Sequence, residues 1–331
     1  MILKQVKQNG IEIMTIVLVL LVALSFSMFY GGTMHFMAVP QNGGPLFNTL
    51  YNYLFDGKIT IVGQVVSLAL MLAEVLMIIL MNSNFELTRA KPSMFMLMFV
   101  PLALSFVPSN TLLPEQLANI FITLGLIKVF ASHNMNNASY TFFDGGLFFG
   151  VALLFCVPAL VMLLVGIIAL LIFRPFKGKE FLVFVLGFFA PALFYVALYF
   201  LIEGTLQPLM EFMETKLSEI HAPVITYNEI IYLSVVGLLT MVASGLILRE
   251  YPKYNLFCSQ AYRLMFFMFV CVLGLSATPY FGFQTMRLTL LPLTLLFVTV
   301  FHDLRQNRVA DILFSVFVLA LIALQILWYR L

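Results

Sequence analysis

Apolar residues fall along this chain in long blocks separated by short polar connections, and the blocks predict membrane-embedded helices. They cover residues 13–30, 59–81, 94–107, 117–130, 147–173, 181–202, 230–248, 264–278, 288–301 and 309–329. A helix needs roughly 20 apolar residues to cross the hydrocarbon core. The block at 147–173 is interrupted by Pro158 and divides into two short helices, 142–156 and 158–173. Proline suits the first turn of the second half, where a backbone N–H would have no intrahelical partner.

Charge placement decides whether that block crosses once or turns back. Cytoplasmic connections carry an excess of Lys and Arg. With a hairpin at Pro158 and a cytoplasmic N-terminus, 13 of the 17 basic residues fall inside, leaving Lys58, Lys216, Arg287 and Arg330 outside. A straight helix would invert everything after residue 173 and destroy this asymmetry. The predicted fold is therefore all-α: a polytopic transmembrane helix bundle of about 10–11 embedded helices, including the short hairpin, in one domain over residues 1–331. The N-terminus is placed on the cytoplasmic side and the C-terminus on the outer side. The first block reads as a retained helix, since it is long for a signal peptide and ends in no clear cleavage site.

Two connections on the outer side have some length. Residues 31–58 are rich in Gly, Pro and aromatics, and 45–55 within them suit the membrane interface. Residues 203–229 are acidic, with Leu206, Leu209, Met210, Met213, Leu217 and Ile220 at helical spacing, which predicts an amphipathic surface helix.

Composition narrows the class further. The chain is 62% hydrophobic and only 10% charged, whereas a soluble domain is about 25% charged. No basic stripe or nucleic-acid motif is present, so nucleic acid is not an expected partner. Cys156, Cys258 and Cys271 are scattered and odd in number, unlike a disulfide framework or zinc site. Phosphate-binding loops, metalloprotease and hydrolase motifs are missing, and His133, His221 and His302 lie in connections. No cofactor or metal is expected.

Within hydrocarbon the informative residues are the charged ones, which cost about 2.5–3.5 kcal/mol at the bilayer centre and mark sites or bundle interiors. Glu74 lies well inside the second block, as either a ligand site or a structural hydrogen-bonding group. Arg287, placed just outside the ninth block, is a candidate phosphate contact or an interfacial anchor. His35 is a titratable group in the first outer loop. Lys128 can extend its ammonium to the cytoplasmic surface. Asp144, before two glycines, suits a helix cap, and a carboxylate such as Asp144 or Glu180 would pair with Arg174.

Several stretches carry a resemblance. Asn82-Ser-Asn-Phe-Glu-Leu, the run from Leu113-Pro-Glu-Gln to Asn119, and Phe143-Asp-Gly-Gly continuing through Cys156-Val-Pro-Ala to Arg174-Pro-Phe-Lys-Gly-Lys-Glu180 are similar to an uncharacterised family of Bacteroidetes polytopic inner-membrane proteins. The similarity is best over residues 60–200, and Asp144, Arg174, Glu180 and Asn119 form its polar motif. More loosely, the small-residue turn Gly146-x3-Gly150, the break at Pro158 and the basic end resemble helical hairpins of multi-span polyprenyl-phosphate-dependent glycosyltransferases and glycan polymerases. That likeness implies a lipid-linked substrate at the outer face, with Arg287, Glu74 and His35 as contacts. Those enzymes usually carry an acid after the first span; here residues 31–55 contain no Asp or Glu. The alternatives are a non-catalytic membrane subunit scaffolding an envelope or export complex, with membrane-complex partners, and a small-molecule transporter.

Overall fold

The computed structural model describes residues 43–55, 61–106, 112–135, 137–174, 177–205, 207, 210–211, 227–250, 255–277 and 283–303. Ten α-helices and no strand occur among them: α1 (Pro45–Phe55), α2 (Ile61–Phe85), α3 (Pro92–Phe106), α4 (Pro114–Ala131), α5 (Ser139–Phe155), α6 (Val161–Phe173), α7 (Gly178–Glu203), α8 (Tyr227–Glu250), α9 (Leu256–Gly274) and α10 (Leu290–Asp303). A 3-10 segment, Phe283–Thr289, runs directly into α10. Four stretches are long and apolar enough to cross a membrane: Val65–Phe85, Gly178–Glu203, Leu256–Gly274 and Gln284–His302. The predicted spans at 13–30 and 309–329, His35, and most of the acidic helix at 203–229 lie outside the described residues.

Helix packing shows how the chain turns at Pro158. On α5, Phe143 meets Gly187 of α7, and seven residues further on Gly150 meets Phe188 and Pro191. The two helices thus run in the same direction, and α6 must return between them. At its far end Arg174 donates from Nη2 to the carbonyl of Met135, before α5 begins, at 2.6 Å. The break itself falls at Cys156, whose backbone is extended at φ −139° and ψ 113°, immediately before a 3-10 turn containing Pro158.

Gly146 and Gly150 therefore do not form a turn, as their sequence context suggests, but a contact face on α5. A β-carbon at either would collide with a carbonyl oxygen of α7, that of Phe184 or Phe188. Small residues four apart let two helix backbones approach closely, which is how helices associate when lipid removes the hydrophobic drive between them. The helix α7 is otherwise exposed and apolar, with Leu182, Leu186, Leu193 and Phe194 outward. It ends at Gly204, whose φ of +71° closes the helix in a left-handed conformation that glycine adopts without strain.

Two further boundaries moved. Asp144 caps no helix: α5 begins five residues earlier, and Asp144 pairs with Lys128 of α4 at 2.9 Å. The block at 264–278 begins earlier than its apolar residues suggest: α9 starts at Leu256, after Asn255 in an extended conformation, and carries Cys258 in its first turn. There Tyr262 donates to the carbonyl of Leu87 at 2.5 Å and accepts from Thr299 at 3.1 Å, joining α9 to the end of α2 and to α10.

The ends of α2, α4 and α6 and the start of α9 meet in one aromatic cluster, in which Phe130 packs against Phe85, Phe173 and Phe257 at 5.5–5.8 Å. Around this end stand Arg89, Lys91, Lys128, Arg174, Lys177 and Lys179. Two ion pairs differ sharply here. Lys128 and Asp144 have side chains 41% and 45% exposed, whereas Arg174 and Glu180, 3.2 Å apart, are 10% and 4% exposed. Exposed pairs contribute about 0–1 kcal/mol, and breaking a buried one costs about 3–5 kcal/mol. Lys128→Ala should shift the unfolding midpoint in mixed detergent only slightly, and Arg174→Ala should lower it strongly. Equal shifts would contradict this account of the two pairs.

Candidate functional site

The opposite end of the bundle is built differently. Gly44 donates its N–H to the carbonyl of Phe155 at 2.8 Å, and Gly43 bridges Cys156, so the residues leading into α1 pair with the hairpin tip. The carbonyl groups at the end of α5 have no further helical partner, and this contact satisfies one of them. Phe47 and Tyr51 of α1 then pack with Leu112 and Phe155, leaving Tyr53 and Leu54 outward. Burial pushes the Tyr51 phenol above its ordinary value.

Beneath this cover lies a set of buried polar groups. Ser67 and Glu74 sit seven residues apart on α2, two turns along one face. The helix α4 begins at Pro114, three residues before the apolar block at 117–130, because Pro fits the first helical position and Gln116 reaches back to the N–H of Leu113 at 3.2 Å. Gln116 also donates to Ser67 Oγ at 2.9 Å. This early start carries Glu115 into the interior, where it is fully buried. One turn further, Asn119 donates to the carbonyl of Arg287 at 3.0 Å. That bond ties α4 to the 3-10 segment.

Arg287 is thus enclosed by protein, near the start of the ninth apolar block. It is 1% exposed, within the stretch Gln284–His302, which is almost wholly enclosed by other helices. An enclosed helix can carry polar groups that a lipid-facing one cannot. Thr285, Thr289, Thr294 and Thr299 are buried along the same stretch. The charges of Glu74 and Glu115 both bear on the guanidinium, and Asn119 stands beside Glu74. Glu115 also lies near Cys156 at the hairpin tip.

The fold thus brings together three residues predicted separately, Glu74, Asn119 and Arg287. Arg174, Glu180 and Asp144 lie at the other end, and His35 is outside the described residues. Glu115 escaped sequence reasoning because it precedes its apolar block. The signal was available in Pro114-Glu-Gln, a proline-led helix start with an acid in the first turn. Among the described residues, Asn119 Oδ1 and Arg287 Nε have no hydrogen-bond partner, while the Asn119 amide bonds to the Glu74 carboxyl. Buried polar atoms are nearly always paired, so this cluster has hydrogen-bonding capacity to spare.

The fold and this interior define a helical membrane protein with a mixed acidic and basic cluster inside its bundle. Compared with known protein families, curated proteins and solved structures, the chain matches none of them.

Proposed function

We propose that this protein acts in cell-envelope biogenesis in a bacterial inner membrane, receiving a polyprenyl-phosphate-linked glycan at its outer face with Arg287 as the phosphate contact. The observation that carries this reading is a guanidinium, 1% exposed, inside a membrane bundle. Such a group is costly to keep there, and guanidinium is suited to directional, two-pronged binding of phosphate. The basic end, with Lys128, Arg174, Lys177 and Lys179, supports a cytoplasmic assignment for that face, which turns the Arg287 cluster outward. Because Glu74 and Glu115 offset the guanidinium, a phosphate would be held by short hydrogen bonds rather than by a long-range positive field. Binding should therefore depend only weakly on ionic strength.

The test is Arg287→Lys in a cell whose sole copy is the variant. At normal abundance, lipid-linked glycan should change at least tenfold relative to wild type. An unchanged glycan profile would reject the reading. The second reading, a non-catalytic subunit of an envelope complex, draws on the broad apolar face of α7, which could seat another membrane helix. Stoichiometric co-purification of a membrane protein, lost when Leu186 and Leu193 are replaced by Ala, would favour it.

A further inference from the structure

We propose that α1 is a cap that opens while the rest of the bundle stays folded, uncovering the seam between α2 and α4 that leads to Arg287. The opening stands on packing; its purpose, admission of a phosphate-bearing substrate, rests on the proposed function. With α1 in place, Glu74, Glu115 and Arg287 are each at most 2% exposed. No molecule outside the bundle touches the guanidinium until an element moves.

Among the described helices, α1 sits apart from the shared core. Buried residues of α2 through α10 form one continuous apolar cluster. Those of α1, Phe47 and Tyr51, belong instead to a small separate group with Leu112 and Phe155. Segments that bury little apolar surface open locally at a fraction of the free energy of unfolding. The outward side of α1 eases the movement. Leu50, Tyr53 and Leu54 form an exposed apolar stripe, with Tyr53 at 87%, and tyrosine favours the membrane–water interface. Displaced along that interface, α1 keeps the stripe in the same surroundings while leaving its inner seat and the Gly44–Phe155 backbone bond.

What the cap covers is specific. Val66 and Leu70 of α2, and Leu117 and Phe121 of α4, pack against the group that seats it. Ser67 and Gln116, next to Val66 and Leu117 in the chain, bond across the same seam. Glu74 lies one turn beyond Leu70. The lead-in to α1 is tight, because a β-carbon on Gly44 would collide with the carbonyl oxygen of Leu154. Leu154 belongs to α5, which Gly146 and Gly150 hold against α7. A larger residue at position 44 therefore displaces the cap rather than α5.

Opening is measured by labelling with a small uncharged maleimide, on the full chain in mixed detergent with Cys156, Cys258 and Cys271 replaced by Ala. Leu112→Cys reports the seat under α1, and Met98→Cys, in the main core, reports global unfolding. Leu112→Cys should label at least tenfold faster than Met98→Cys. Adding Gly44→Ala or Tyr51→Ala should raise the Leu112→Cys rate at least tenfold further and leave the Met98→Cys rate unchanged. Equal rates at the two probes overturn the cap, as does a Gly44→Ala or Tyr51→Ala effect that is absent or shared by both. Geranyl diphosphate separates the two ideas. At saturation it should change the Leu112→Cys rate at least threefold, and Arg287→Lys should remove the change. A cap that opens but ignores the diphosphate rejects the phosphate reading and leaves the cap standing.

Discussion

Alanine at Gly150 should strongly destabilise the bundle, while alanine at Gly178 leaves it intact. Both glycines are helical, and in an isolated helix either change would be favourable by about 1 kcal/mol. Their surroundings differ. A β-carbon at Gly178 meets nothing within 4 Å, whereas at Gly150 it collides with the carbonyl oxygen of Phe188 and crowds Pro191. The obstacle is backbone, so no rotamer change can relieve it, and α5 and α7 would have to separate along their whole crossing. Gly146 and Gly187 face the same kind of collision, against the Phe184 and Phe143 carbonyls. The cost should reach or exceed about 3 kcal/mol, the upper end of ordinary overpacking. Monodisperse protein recovered after detergent extraction, with its unfolding midpoint, measures it. A Gly150→Ala protein as stable as wild type would mean the two helices are not in contact as described.

The second large effect is at Arg287. Replacing it with Met keeps the volume of the chain but leaves Glu74 and Glu115 buried without their nearby cation. Removing one partner from a buried set of charges costs about 3–5 kcal/mol. Glu74→Gln in the same background should recover part of that loss, since the two charges act on one another. Residues sharing one network show coupling of roughly 0.5–3 kcal/mol in a double-mutant cycle. Strict additivity of the two substitutions would show that Glu74 and Arg287 do not form one energetic unit.

How much of this was visible beforehand differs from residue to residue. The hairpin was readable, because Pro158 breaks a block too long for one span and the surrounding charges choose its direction. The pairing of Arg174 with Glu180 was readable as one of two options, and of the two acids Glu180 is the nearer in the chain. The glycine face was visible only as a motif. A Gly-x3-Gly pair looks the same in a turn and in a helix contact, and only the approach of α7 distinguishes them.

Glu115 and Arg287 show the harder limit. Both stand at the margins of apolar blocks, where sequence places a charge in water or at the interface. Whether a margin lies outside the bundle or inside it depends on what packs around it, and helix starts shift by several residues with their capping. The stretch Gln284–His302 has no apolar signature to mark it as central, because a helix enclosed by protein and one facing lipid are both hydrophobic.

By itself, then, the sequence determined the class: a chain with 10% charged residues grouped between long apolar blocks can satisfy its backbone in lipid only as helices. It also determined the hairpin, through proline chemistry and charge asymmetry. Tertiary structure alone decided which helices are interior, and so which charges share one site. Glu74, Glu115, Asn119 and Arg287 come from segments up to 213 residues apart (287 − 74). Their meeting depends on packing shape, to which hydrophobicity, the strongest signal in a membrane sequence, is nearly blind.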